Sequence, residues 1–464
     1  MSEAATGDEG MDGGGAGGPS VSDPGDGSDL RRDLLRIGGF LLVTYVGFFV
    51  LGTVGGVALG EIVGTLTRIT LFTAAFSLLT LALNLHWGYT GIFNIGIAGF
   101  MAVGVYTMAV LTAPPDPVGS PVGGLDMSVW VGILGGVLAA AGFGALLSLP
   151  ALRVRADYFA IITLGFSEIV RLSLLSGTLR EIPAGEVVYG TGGGRGIRYK
   201  SPSDEVVELL FDVPVLRSVG TGLYDATEAV GLSTTQVDRL VYALVVLGFV
   251  LITFVVLRRV IRSPFGRVLK AIREDEVVAR SLGKNTPRTK VKAFTLGAAV
   301  IGLGGILWLG RGSQITPNDF RPIVTFYVFI ALIIGGQGSN LGSMVGGFAF
   351  AAFLFEGPRF LRTVVTQNIT TEAPATIYDA LIQLGALEVA PLVGYLAESL
   401  DQLRWIVVGV ILILLMIYRP EGLFGDREET AAAATLSRRG AGATGRERVD
   451  TGVEGQPDGG ERDE

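Results

Sequence analysis

The chain has 464 residues, 49% of them hydrophobic and only 17% charged, with a mean hydropathy of +0.53. A soluble domain of that make-up could not hide its apolar surface, so the composition reads as an all-α polytopic membrane protein. Cysteine is absent and histidine occurs once, which excludes disulfides, cysteine-ligated zinc and any histidine-cluster metal site, and the net charge of −7 sits mostly in the two tails.

Residues 1–30 carry seven acidic groups and no Lys or Arg amid glycine runs, and they read as a disordered cytoplasmic tail. Without a basic leading segment they are not a secretory signal. Residues 31–425 read as the transmembrane domain. Apolar runs near the roughly 20 residues that a helix needs to cross hydrocarbon fall at 37–60, 66–85, 91–112, 129–151, 157–176, 240–257, 293–310, 323–336, 341–357 and 402–418. That makes about ten transmembrane helices, some of them broken by glycine. The last two short runs before 358 also admit a second reading, as re-entrant half-helices flanking Gly335–Asn340. Residues 426–464, with ten acidic groups against six Arg, read as a second disordered cytoplasmic tail.

Basic residues fix the orientation. Arg31, Arg32 and Arg36 precede the first run, Arg153 and Arg155 follow the fourth, and Arg419 and Arg427 follow the last. The segment 258–292 after the sixth run holds eleven basic residues against three acidic ones. Even numbers of spans separate these sites, so all four are cytoplasmic by the positive-inside rule, and both termini lie inside the cell membrane. The 177–239 segment, nine acidic to six basic, is then external. So concentrated a charged loop as 258–292 points to a surface that touches another protein; attraction to anionic lipid is the competing reading.

Two glycine-broken stretches share one frame. Gly88, Gly91 and Gly99 are spaced as Gly335, Gly338 and Gly346 are. Unwound backbone at membrane depth survives where it lines a cavity or is buried in protein, so Gly88, Tyr89, Gly91, Asn94, Gly335, Gly336 and Gly338, with Thr163, are candidates for a translocation path. Close helix packing through small residues is the plainer alternative. Glu168 and Arg171 lie three apart on one face of the fifth run, either as a functional intramembrane pair or as an ion pair that locks the helix. His86, beside Trp87, is expected at the cytoplasmic interface with no chemistry. No Gly-x4-Gly-Lys-Ser/Thr phosphate loop occurs, so any work drawn from nucleotide hydrolysis by that route is supplied by another chain.

Several ordered motifs resemble the M-type subunit of the high-affinity branched-chain amino-acid ABC permeases. They are Asn84–Gly91, Gly104-Val105-Tyr106, Tyr158–Arg171, the glycine-rich Thr191–Ile197, Ser263–Arg267 with Ala271–Glu274, and Tyr418–Gly425, together spanning about 66–425. The resemblance implies a non-enzymatic permease half. It pairs with a second related permease, two cytoplasmic ATPases that bind ATP and Mg, and an extracytoplasmic substrate-binding protein; this chain holds no cofactor and contacts membrane lipid but no nucleic acid. Glu276–Gly283 resembles the importers' ATPase-docking segment, with Glu276, Ala279, Arg280 and Gly283 as its coupling residues. It departs from that pattern in having Val277 and Val278 where Ala is usual and one extra position before the glycine. As a docking helix it would show Ala271, Ile272, Val278, Ala279 and Leu282 on one face and offer Arg273 and Arg280 to an acidic partner. Related permeases for urea or short amides are an alternative. A stand-alone secondary transporter or channel is another, disfavoured by the scarcity of carboxylates in the spans, and a membrane enzyme fares worst.

Overall fold

The computed structural model describes residues 26–151, 156–185, 187–212, 214–229, 231–368, 374–386 and 388–423. Both expected tails therefore lie largely outside the described residues, although the first helix takes in 26–30. In chain order the helices are α1 (Asp26–Val54), α2 (Leu59–Leu83), α3 (Ile97–Thr112), α4 (Val129–Ala151), α5 (Ala156–Leu175), α6 (Gly177–Arg180), α7 (Pro202–Asp212), α8 (Pro214–Glu228), α9 (Thr234–Arg262), α10 (Pro264–Glu274), α11 (Glu276–Ser281), α12 (Thr286–Leu309), α13 (Ile323–Gly335), α14 (Asn340–Ala349), α15 (Gly357–Asn368), α16 (Ile377–Gly385), α17 (Ala390–Glu398) and α18 (Leu400–Tyr418). Two small antiparallel pairs join them, β1 (Ile182–Ala184) with β2 (Val187–Tyr189) and β3 (Ile197–Arg198) with β4 (Gln314–Ile315), together with short 3₁₀ and π turns.

Seven described helices are long and apolar enough to cross a membrane, or eight if the α17–α18 pair, bent by 76°, is one span. Two of the ten runs read as spans fall short: α3 has 16 residues and α13 has 13, below the length a straight helix needs. Their shortness has a local cause. The chain ahead of α3 is unwound from Gly91 to Gly96, and α13 stops at Gly336, whose φ of 109° suits a residue without a Cβ. The re-entrant reading of 341–357 does not hold, because α14 runs through a π-helical turn (Phe350–Glu356) into α15 as one 29-residue apolar stretch, Asn340–Asn368. The segment that follows this stretch thus begins later than 358.

Helix ends follow ordinary capping chemistry. Ser233 and Gln236 form a capping box at the start of α9, the Asn285 side chain accepts from Arg288 N at the start of α12, and the Asp275 side chain accepts from Val277 N and Val278 N to start α11. The core is built around α2, most of whose residues are buried and which packs on α9, α12, α13 and α14. α1 packs along its edge through Ile37, Phe40 and Leu41, with Phe48 against Phe360 and an ion pair of 3.1 Å from Asp33 to the buried Arg258 at the end of α9.

α3, α4 and α12 cross at glycine. A Cβ on Gly104 would lie 2.9 Å from Gly302 Cα, and one on Gly136 would lie 2.4 Å from the Gly104 carbonyl oxygen. Close approach of backbones through small residues is how apolar helices gain dispersion contact in lipid, where no hydrophobic drive joins them. Gly136→Ala should therefore overpack the crossing and destabilise the fold by about 1–3 kcal/mol. Gly142→Ala on the same helix, with nothing within 4 Å, should leave the unfolding midpoint in detergent unchanged or slightly raised.

Candidate coupling surface and helix-break junction

The two glycine-broken stretches meet each other. α2 ends in a π-helical turn, Asn84–Gly88, and the Asn84 side chain spans the gap to the other stretch: its Oδ1 accepts from Gly338 N at 2.7 Å and its Nδ2 donates to Asn340 Oδ1 at 3.2 Å. Gly88 faces this contact so closely that a Cβ would lie 2.7 Å from Gly338 N. Gly335 and Gly346 press together in the same way, a Cβ on Gly346 coming 2.6 Å from Gly335 Cα. Gly336 is covered by the C-terminal motif: a Cβ on Gly422 would lie 2.4 Å from Gly336 Cα, and Leu423 N donates to Ile334 O at 2.9 Å. Four of the six frame glycines, Gly88, Gly335, Gly338 and Gly346, thus meet at one junction between two helix breaks, while Gly99 packs on Ser167 of α5.

A single side chain from α10 reaches into it. Arg273 Nη1 donates to the Gly88 carbonyl at 2.5 Å, its stem lies 3.4 Å from where a Cβ on Gly91 would sit, and its Nη1 lies 3.3 Å from the corresponding position on Gly338. Gly91 and Gly338, with φ of 74° and 86°, have a conformation that residues with a Cβ avoid. Beside them a cavity of about 930 Å³ opens, lined by Gly91, Ser148, Phe159, Arg273, Glu276 and Lys290 among others.

Of the other path candidates, Tyr89, Asn94 and Thr163 are buried. Thr163 Oγ1 accepts from Ile95 N and donates to Ala160 O, both at 3.0 Å, and Asn94 Oδ1 accepts from Gly96 N at 2.8 Å. His86 does not lie at an interface. It is fully buried, stacked on Phe294, with Nε2 3.0 Å from the Phe294 carbonyl, so the ring proton belongs on Nε2, and Nδ1 accepts from Asn94 Nδ2 at 3.1 Å. These three residues hold the unwound 91–96 backbone in place by giving its polar groups partners.

α10 and α11 are two helices rather than one, because Asp275 at their junction is extended. The expected docking face is therefore revised. Ile272 and Ala279 turn inward, while Val277, Val278 and Leu282, 54–72% exposed, form the outward apolar surface. Arg273 turns inward to Gly88, whereas Arg280 stays 63% exposed while bonding Glu276 at 3.1 Å. Glu276 further accepts from Lys290 at 2.5 Å and from Thr286 at 2.9 Å, so it clamps α11 onto α12. Burial alone would raise its pKa, but the bonds from Lys290 and Thr286 and the charges of Lys290 and Arg280 outweigh that and hold it below the ordinary carboxylate value. Gly283, with φ of 75°, reverses the chain after α11.

Glu168 and Arg171 are bonded to each other, Nε to Oε2 at 2.8 Å and Nη2 to Oε1 at 2.5 Å. At the other ends of α2, α9 and α12 from the 930 Å³ cavity lies a second one of about 660 Å³, ringed by Arg68, Arg239, Arg311 and Arg359 with Glu61. Arg68 pairs with the buried Glu356 at 3.4 Å, whereas no described carboxylate is within ion-pair distance of Arg239, Arg311 or Arg359. The signal for this ring was in the sequence: Arg68, Arg239 and Arg311 stand at the ends of the apolar runs that begin or end near 66, 240 and 310.

A bundle of apolar helices broken at matched glycines, with a basic helical hairpin plugged into the break, defines a polytopic membrane protein of the transport class. The chain matches the family model described as the branched-chain amino acid transport system permease component over residues 65–357, and it belongs to that family. It is 32% identical over 401 residues to the high-affinity branched-chain amino acid transport system permease protein LivM of Escherichia coli K12, covering 86% of this chain and 76% of the relative. The LivM protein of Salmonella typhimurium LT2 is 32% identical over 357 residues, 76% of this chain and 69% of its own. The high-affinity branched-chain amino acid transport system permease protein LivH of the same Salmonella strain is 23% identical over 277 residues, 59% of this chain and 79% of its own. No solved structure matches.

Proposed function

We infer that this chain is one permease subunit of an ABC importer for branched-chain amino acids, crossing the cell membrane ten times with both termini and the α10–α11 hairpin in the cytoplasm. α3 and α13 then cross as short helices whose unwound ends meet at the Asn84–Gly338 junction. The observation that carries the reading is the Arg273 bond to the Gly88 carbonyl, which ties a basic cytoplasmic hairpin to the break in α2. An ATPase seated on Val277, Val278 and Leu282 would displace that hairpin as its subunits close, and Arg273 would carry the displacement to the helix breaks.

The remaining partners follow from the same reading. A second, related permease supplies the other half of the path, two ATPases bind ATP and Mg, and an extracytoplasmic binding protein delivers the solute. The relatives named LivM and LivH support a pair of related permeases, and the arginine ring at the outer end offers an acidic carrier protein charge complementarity. The test is reconstitution of this chain in vesicles with its candidate partners. ATP-dependent accumulation of radiolabelled leucine by the assembly, and none by the chain alone, is expected. Concentrative uptake by the lone chain would overturn the reading.

A further inference from the structure

α5 is among the least covered of the long apolar helices. It packs on α3 through Thr163 and Ser167 and on α12 through Phe159 against Phe294, and its opposite face, Tyr158, Ile161, Ile169 and Leu172, is more than half exposed. An apolar outward face is ordinary for a lipid-facing helix. This one also carries the Glu168–Arg171 pair along its edge, the Glu168 side chain 36% and the Arg171 side chain 16% exposed. At 1.5 Å per residue, Glu168 stands about 15 Å from Tyr158 and about 10 Å from Leu175, well inside the apolar stretch. Glu356, by contrast, is turned inward against Arg68. Ionised groups are poorly tolerated against hydrocarbon at that depth and are found facing water-filled cavities or protein, so this face of α5 borders an aqueous seam.

The chemistry left open by the pair specifies a ligand. Arg171 uses Nε and one Nη2 hydrogen on Glu168, leaving three of its five donors, and the Glu168 carboxylate retains lone pairs. One group takes a carboxylate and the other an ammonium, a few ångströms apart. One turn earlier, Gly165 has nothing within 4 Å of where a Cβ would be, and Ile161 and Ile169 flank that space. We propose that the outward face of α5 lines the solute path and that Arg171, Glu168 and the Gly165 recess form a transit site for a zwitterionic amino acid: carboxylate on Arg171, ammonium on Glu168, aliphatic side chain over Gly165.

The proposal rests on the importer reading, and the experiment separates the two. The assembly of this chain with its permease, ATPase and binding-protein partners is reconstituted, and the maximum rate of radiolabelled leucine uptake at saturating binding protein is measured alongside ATP hydrolysis. Arg171→Gln and Glu168→Gln should each lower uptake at least tenfold while hydrolysis stays within twofold. The double swap Glu168→Arg with Arg171→Glu keeps an i,i+3 pair and the helix lock but exchanges the two ends, and it should be as defective as either single variant. Gly165→Leu should depress leucine uptake more than alanine uptake. Wild-type uptake by the swap or by both neutral variants would overturn the site and leave a pair that only locks the helix; equal loss of uptake and hydrolysis would overturn it in favour of an assembly defect. Absence of leucine uptake by the unaltered assembly would instead overturn the importer reading.

Discussion

Arg273→Ala is expected to lower ATP-driven solute uptake by about ten- to a hundredfold while ATP hydrolysis by the assembled transporter stays near normal. The guanidinium makes a 2.5 Å bond to the Gly88 carbonyl at a helix break. A hydrogen bond from a charged donor contributes about 1.5–3 kcal/mol, and each 1.4 kcal/mol is a factor of ten. The carbonyl it satisfies belongs to the end of α2, where an intrahelical partner is missing. Removing the side chain leaves the outward apolar residues Val277, Val278 and Leu282 in place, so a partner can still seat and turn over nucleotide. What is lost is the rigid link between hairpin and junction. Arg273→Lys, which presents an ammonium on a shorter reach, should recover part of the uptake. Paired measurements of uptake and hydrolysis in vesicles decide it: wild-type solute moved per ATP in Arg273→Ala would show that α10 transmits its motion by another contact.

Much of the bundle is legible from hydropathy because each long helix must present an apolar surface to lipid or to its neighbours regardless of what lies beside it. All ten apolar runs form helices, and Gly88, Gly91, Gly335 and Gly338 lie at the two breaks. What the pattern does not contain is which break meets which partner. Asn84 bonds to Gly338, 254 residues away, and Arg273 to Gly88, 185 residues away, and no local rule encodes pairs so distant. His86 is misplaced by sequence reasoning for the same reason: its burial is set by Phe294. The docking face fails differently. The predicted face spans too wide an arc: Ile272 and Ala279, seven positions apart, lie on its buried edge, while Ala271, Val278 and Leu282 on its other edge stay exposed.

Glu276 should prove to be a clamp rather than a contact with the ATPase. Its carboxylate is bonded to Lys290 and Thr286 of α12 and to Arg280 of α11, and the Lys290 side chain is only 16% exposed. Glu276→Ala removes the clamp and leaves that ammonium without its carboxylate. Charge-assisted bonds of this kind, discounted for a carboxylate about a third exposed, contribute about 1–2 kcal/mol, enough for a roughly tenfold loss of coupled uptake. Protonation offers a milder version of the same change, and its sign is fixed. The folded-state pKa of Glu276 lies below its unfolded value near 4.3, so the clamp's contribution is complete above that value and is lost as pH falls through the lower, folded one. Amide hydrogen exchange across 276–290 should therefore be independent of pH, after correction for intrinsic rates, from about 5 to 8, and protection should drop only in more acid solution. Glu276→Gln should show the lowered protection at every pH, because the neutral amide cannot hold the Lys290 ammonium by charge. A loop whose protection in the wild type fell between pH 5 and 8, or was unchanged in the Gln variant, would place the clamp elsewhere on the α11–α12 contact.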